Sequence, residues 1–159
     1  RELYQKGLLG TELADLITNM EMSDPFAVQG VLDTACWSRT GTTGPTIGET
    51  LQRAGHKLRR ADKNRIQGKI QIHEYLKVMQ SGRPRIQILN TCPNLIRELQ
   101  SIPLDKRNPE DVDTHAPDHA YDALRYLIMS RPRINDTLNQ MRQFHRERIY
   151  APVDSTFGY

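Results

Sequence analysis

Apolar residues recur at helical spacing in several stretches of this chain, separated by short strand-like runs. Leu13, Leu16, Ile17 and Met20 predict a helix over 11–22. Ser23-Asp24-Pro25 ends it, because a residue before proline is pushed out of the α region. A second helix is predicted over 45–54, with Gly55 as its stop. Asp62 is placed to cap the longest early helix. Ile66, Ile70, Ile72, His73, Leu76 and Met79 carry that helix to about residue 79 on an apolar face, with His73 packed among them. Pro93 suits the first turn of a helix over 93–99, and Pro117 that of a helix over 117–129. In the latter, Ala120, Ala123, Leu124, Leu127 and Ile128 share one face. A polar helix over 135–149 and a tail over 150–159 close the pattern.

Between these helices lie shorter runs. Residues 28–33 are apolar and partly β-branched, as in a buried strand. Residues 57–60 and the alternating 85–89 read as strands, and 1–5 as the end of one. The Thr- and Gly-rich 34–44 and the polar, acidic 103–116 read as surface loops. Strands alternating with helices define an α/β chain. Its 159 residues suit one domain with a single core.

The hydrophobic fraction is 37% and the mean hydropathy −0.65, so much of the surface is solvated. No apolar run approaches the roughly 18 residues of a membrane span, so no membrane partner is expected. Cys36 and Cys92 lack zinc or redox spacing and read as buried thiols. The net charge of +3 says less than its distribution. Arg53, Lys57, Arg59, Arg60, Lys63, Arg65 and Lys69 face one acid, Asp62, in their segment. Glu98, Asp105, Glu110, Asp111, Asp113, Asp118 and Asp122 outnumber Arg97, Lys106 and Arg107 in the next. A solvated helix face explains the basic run, and so does a polyanion partner held near acidic residues. The chain carries no G-x-x-x-x-G-K-[ST] run, so no ATP site is expected in it. It carries neither G-x-S-x-G nor H-E-x-x-H, which leaves serine-hydrolase and zincin chemistry without support.

The densest chemistry lies in Asp118-His119-Ala120-Tyr121-Asp122-Ala123-Leu124-Arg125-Tyr126. Asp118 and Asp122 are four apart and share a helical face, with His119 beside them. Neighbouring carboxylates repel unless a cation or water separates them. An acidic first turn that complements the helix dipole accounts for this spacing, and so does a hard-metal site. Arg125 is placed to pair with Asp122 or nearby Glu residues, and Tyr126 and Trp37 to pack in the core. Asp33 ends the apolar strand, where carboxylates face a crevice in α/β sheets but also begin turns.

Residues 118–126 resemble the end motif of the nuclease domain of phage terminase large subunits, the motors that cut and package viral DNA. Three further segments are similar to that family, in its order. Gly30-Val31-Leu32-Asp33-Thr34-Ala35-Cys36-Trp37 resembles its strand ending in a metal-binding aspartate. Gly44-Pro45-Thr46-Ile47-Gly48-Glu49-Thr50-Leu51 resembles the opening of the following helix. Ala61-Asp62-Lys63-Asn64-Arg65-Ile66-Gln67-Gly68 resembles its basic helix start.

The resemblance implies a ribonuclease H-like mixed sheet flanked by helices. The family's first strand, with its first metal-binding aspartate, would precede Arg1. The expectation is therefore a nuclease domain over 1–132 with its N-terminal strands missing, then a C-terminal helix and tail over 133–159. The implied activity is endonucleolytic cutting of concatemeric double-stranded DNA with two Mg²⁺ or Mn²⁺ ions. Asp33 and Asp122 would serve catalysis and hold metal, Asp118 would hold metal, and His119 would assist catalysis. Lys57, Arg59, Arg60, Lys63, Arg65 and Lys69 would contact DNA. The implied partners are the terminase small subunit and the portal ring, in the host cytoplasm. Two other readings fit the same residues: a catalytically incomplete module docking on DNA or the portal, and another ribonuclease H-like nuclease such as a transposase or resolvase.

Overall fold

The computed structural model describes residues 1–39, 44–113 and 115–131. The first amphipathic stretch forms α1 (Gly10–Glu21), whose first turn is tied by the Glu12 carboxylate accepting from the Leu9 N–H at 2.7 Å. Next come β1 (Gln29–Leu32), one turn of 3₁₀ helix (Thr34–Trp37), α2 (Ile47–Arg53) and β2 (Lys57–Arg60). β1 and β2 run parallel, with Gln29 opposite Lys57 and Leu32 opposite Arg60. Parallel neighbours need a crossover, and α2 supplies it. Thr46 and Glu49 exchange the two hydrogen bonds of a capping box at the start of α2, at 3.1 and 2.8 Å. Gly55, at φ 98°, then turns the chain into β2 through a conformation that disfavours side chains.

Among the described residues that follow, three helices pack together: α3 (Arg65–Leu76), α4 (Pro93–Ser101) and α5 (His119–Met129). Ile72, Val112, Tyr121, Leu124 and Ile128 form the buried core, with Tyr75, Ile86, Leu95, Leu99 and Ile102 packed on it. α3 and α5 approach closely at Gly68, where a Cβ would lie 2.4 Å from Cγ of the buried Arg125. No helix among the described residues is long and apolar enough to cross a membrane. Cys92 is buried and Cys36 half-buried, both as free thiols.

The α/β class is observed, but the sheet of the described residues is smaller than expected and parallel rather than mixed. Residues 1–5 join no ladder, and their side chains tie this segment to the helices. The Glu2 carboxylate accepts from the Asn94 and Leu95 N–H groups at 3.1 and 2.8 Å, capping α4. Residues 85–89 also leave the sheet. The Arg85 and Ile86 N–H groups both donate to the Tyr75 carbonyl, at 3.0 and 3.2 Å, and Ile86 enters the core.

α3 begins later and ends earlier than its pattern suggests. Asn64, not Asp62, is the cap, accepting from the Gln67 N–H at 3.0 Å, and Lys77 is already extended. Its buried side differs too: Gly68 and Ile72 face inward, whereas Ile66, Ile70 and His73 are exposed. The acidic 103–116 segment is more than a surface loop, since Leu104 and Val112 form an antiparallel bridge and Val112 is buried. The predicted helix over 135–149, the tail, and the division at 133–159 lie outside the described residues.

Candidate functional site

Asp33 leaves the C-terminal end of β1 and caps the 3₁₀ turn, its Oδ1 accepting from the Ala35 N–H at 2.7 Å. Its Oδ2 accepts from the Tyr126 hydroxyl at 2.5 Å, and Lys63 Nζ stands 3.6 Å from Oδ1. Asp122 lies one turn before Tyr126 on α5, and the same hydroxyl is 3.4 Å from its Oδ2. Those two distances leave the Asp33 and Asp122 oxygens at most about 6 Å apart, within reach of a metal pair. Asp122 Oδ1 accepts from Arg125 Nε at 2.9 Å and lies 2.9 Å from its Nη2, the ion pair expected from sequence.

Arg65, the first residue of α3, gathers the remaining acids. Its Nε donates to both oxygens of Asp111 at 2.9 and 3.2 Å, and its Nη2 to the Val112 carbonyl at 3.4 Å. Its Nη1 lies 3.8 Å from Oδ2 of both Asp118 and Asp122. Four carboxylates from the end of β1, the acidic segment and α5 thus converge around Lys63, Arg65 and Arg125.

These surroundings push the ionisable groups in opposite directions. Burial alone would raise the Asp33 carboxyl, but donation from Tyr126 and the Ala35 N–H, with the Lys63 ammonium, leaves it below its ordinary value. Asp118 is raised, by burial first and by the Asp122 charge second, which Arg65 does not offset. Burial and the Asp33 acceptor raise the Tyr126 phenol, so it stays a donor at neutral pH.

A carboxyl whose folded pKa exceeds its unfolded value costs stability as pH climbs through that interval, and the cost persists above it. Asp118→Asn should therefore raise the melting temperature of metal-free protein at pH 7. The gain should vanish below about pH 4, near the unfolded pKa. Thermal scans across pH check this, and a variant less stable than the parent at pH 7 would contradict it.

Asp118 occupies the cap position of α5 yet makes no capping hydrogen bond. Glu98 does that work. Its Oε2 accepts from the Ala120 and Tyr121 N–H groups at 2.8 and 2.9 Å, and its Oε1 from the Tyr4 hydroxyl at 3.2 Å. The helix-dipole explanation for Asp118 is weakened accordingly, because a buried carboxylate already sits on those N–H groups. Sequence reading missed Glu98 and Asp111. A signal existed for the first: Glu98 falls on the stripe of Leu95, Leu99 and Ile102.

His119 stands apart from the Asp33–Asp122 pair. Its side chain is 74% exposed, its Nδ1 is 3.9 Å from Asp118 Oδ1, and it lines a cavity of about 270 Å³ with Arg1, Leu95, Ala123 and Leu127. The basic residues divide in two. Arg65 is taken up by the acids, and Lys69 donates to the Pro109 carbonyl at 3.1 Å. Lys57, Arg59 and Arg60 are exposed on β2, and no carboxylate of the described residues lies within ion-pair distance of them. Arg60 lies over the Trp37 ring, 5.6 Å from its centre.

Among the described residues, no three His, Cys, Asp or Glu side chains form a ready metal cage. The donor chemistry nevertheless fits a hard cation. Asp33, Asp118 and Asp122 offer oxygen only, the preference of magnesium and manganese, and the repulsion felt by Asp118 is what a divalent ion would relieve. Comparison of the chain with protein-family models, curated proteins and solved structures found no match.

Proposed function

We propose that this chain is the metal-dependent endonuclease domain of a DNA-packaging terminase large subunit, ribonuclease H-like in fold. The observation that carries the reading is the hydrogen bond from Tyr126 to Asp33 across 93 residues, with Asp122 at the same hydroxyl. It joins the two segments that resemble the family's metal-binding motifs. Asp33 at the end of a parallel strand and Asp122 on a packed helix are held on rigid elements, as a two-ion site requires.

Asp33 and Asp122 would hold Mg²⁺ or Mn²⁺, with Asp118 beside them as a further oxygen donor. When bound, such ions supply an activated water and neutralise charge on the scissile phosphate. Tyr126 fixes the facing oxygen of Asp33 and stands 3.4 Å from that of Asp122, and Arg125 fixes the other oxygen of Asp122. His119, exposed and 3.9 Å from Asp118, would assist catalysis only from beside the donor set. Double-stranded DNA would approach along the basic β2 edge, and the small subunit, the portal ring and a host-cytoplasmic setting belong to the same proposal.

The cations already seated on the acids favour one second reading, a catalytically incomplete DNA- or portal-docking module. Cleavage of supercoiled plasmid by the full-length gene product separates the two. Nicking that requires Mg²⁺ or Mn²⁺ and is lost in Asp33→Asn and Asp122→Asn supports the nuclease. DNA binding without cleavage under any divalent ion supports the module.

Either way the β2 edge should bind phosphates. Lys57→Ala with Arg59→Ala should weaken binding to all DNA sequences alike and flatten the slope of log affinity against log salt by about two charges. A fluorescence titration at several salt concentrations reads this. An unchanged slope would return both residues to ordinary solvated surface.

A further inference from the structure

Arg65 stands where a cation between Asp118 and Asp122 would stand. Its Nη1 is 3.8 Å from Oδ2 of each, beyond hydrogen-bond length but within ion-pair distance. Its Nε, by contrast, makes true hydrogen bonds to both Asp111 oxygens, at 2.9 and 3.2 Å, and Nη2 reaches the Val112 carbonyl. The guanidinium is gripped from behind by the acidic segment and turns its remaining edge to α5. That segment is itself fixed by the Leu104–Val112 bridge and by Lys69 donating to Pro109. Arginine's planar fork lets Nε and Nη2 hold the acidic segment while Nη1 faces α5.

We propose that Arg65, anchored by Asp111, is the built-in counter-cation of this cluster and competes with the divalent ion for Asp118 and Asp122. The inference rests on the metal-site reading above and gives that site its affinity control. A magnesium or manganese ion takes carboxylate oxygens at about 2.1 Å, and it repels a guanidinium charge already facing the same atoms. A bound metal would therefore draw the Asp118 and Asp122 carboxylates away from Nη1, while the Asp111 grip keeps the rigid guanidinium in place. Arg65 then stays beside the site, with one free edge available to an anionic phosphate. Without metal, the guanidinium limits repulsion between Asp118 and Asp122 and holds α3 to the start of α5.

Calorimetric titration of the full chain with Mn²⁺ tests this in the parent, Arg65→Gln, Arg65→Lys and Asp122→Asn proteins. Parent binding should depend on Asp122. Arg65→Gln should bind Mn²⁺ about tenfold more tightly because a repelling charge is gone, with Arg65→Lys in between. Parent binding that needs Asp122, joined to an Arg65→Gln affinity that is equal or weaker, overturns the counter-cation role and leaves the metal site standing. Absence of Mn²⁺ binding in both parent and Arg65→Gln overturns the two together. Binding by Arg65→Gln alone supports the proposal in its strongest form. Should Arg65→Gln fail to fold, nitrogen NMR of the parent arginines decides: Mg²⁺ should shift the Arg65 Nη signal while Nε–H stays protected by Asp111, and an unmoved Nη signal refutes the competition.

Discussion

If the chain is the proposed nuclease, Asp122→Ala should abolish metal-dependent cleavage, lowering the rate by at least about a hundredfold, because a lost metal ligand would remove several kcal/mol of transition-state stabilisation. The alanine variant confounds two effects, however. Asp122 is also the hydrogen-bonded partner of Arg125, which is 1% exposed, so truncation strands a buried guanidinium. Breaking such a pair from one side costs about 3 kcal/mol of stability, enough to mimic a catalytic defect by unfolding the protein. Asp122→Asn separates them. Its amide oxygen still accepts from Arg125, so folding should be largely kept, but it lacks the charge a divalent ion requires. The expected result is two variants equally dead in plasmid nicking and unequal in melting temperature, the alanine form melting lower. An active, folded Asp122→Asn protein would remove Asp122 from the chemistry and refute the assignment of the α5 motif as the metal site.

The contrast between Asp33 and α3 shows how far the sequence alone could go. Asp33 and Asp122 were legible because each breaks a local rule: one acid ends an apolar strand, the other sits inside an amphipathic helix. Their meeting is implied by the family resemblance and by no local pattern, and it runs through a phenol that reads as a core residue. α3 is recognised as a helix and Ile72 as one of its core residues, but Ile66, Ile70 and His73 turn outward. The close approach of α5 depends on the missing side chain of Gly68, and apolar periodicity gives glycine no weight. The lost strands have a similar origin. Residues 1–5 and 85–89 have strand-like patterns, but their hydrogen bonds go to α4 and to the end of α3, and no local pattern encodes that choice. Arg65 belonged to a basic run, and only its long-range partners show that it serves the acids.

Glu98→Ala should be the most damaging change outside the acid cluster. Glu98 is 1% exposed, and its carboxylate serves three donors: the Ala120 and Tyr121 N–H groups and the Tyr4 hydroxyl. Alanine leaves the first turn of α5 with buried, unsatisfied N–H groups, at about 1–3 kcal/mol each before relaxation. A net loss of about 3 kcal/mol would lower the melting temperature by about 6–12 °C in a chain of this size. Glutamine is the informative control. Its amide oxygen can accept from both N–H groups and its NH₂ can donate to the tyrosine oxygen, so only the attraction between charge and helix dipole is lost, about 1 kcal/mol. Function should follow the same order. Asp118 stands at the cap position with no capping bond, and once Glu98 is gone it is the nearest oxygen donor of α5 able to turn onto the orphaned N–H groups. A carboxylate spent on capping is withdrawn from the metal. Glu98→Ala should therefore weaken Mn²⁺ binding, whereas Glu98→Gln should leave it near the parent value. If alanine lowers stability while Mn²⁺ affinity stays unchanged, Asp118 is not a ligand, and the donor set contracts to Asp33 and Asp122.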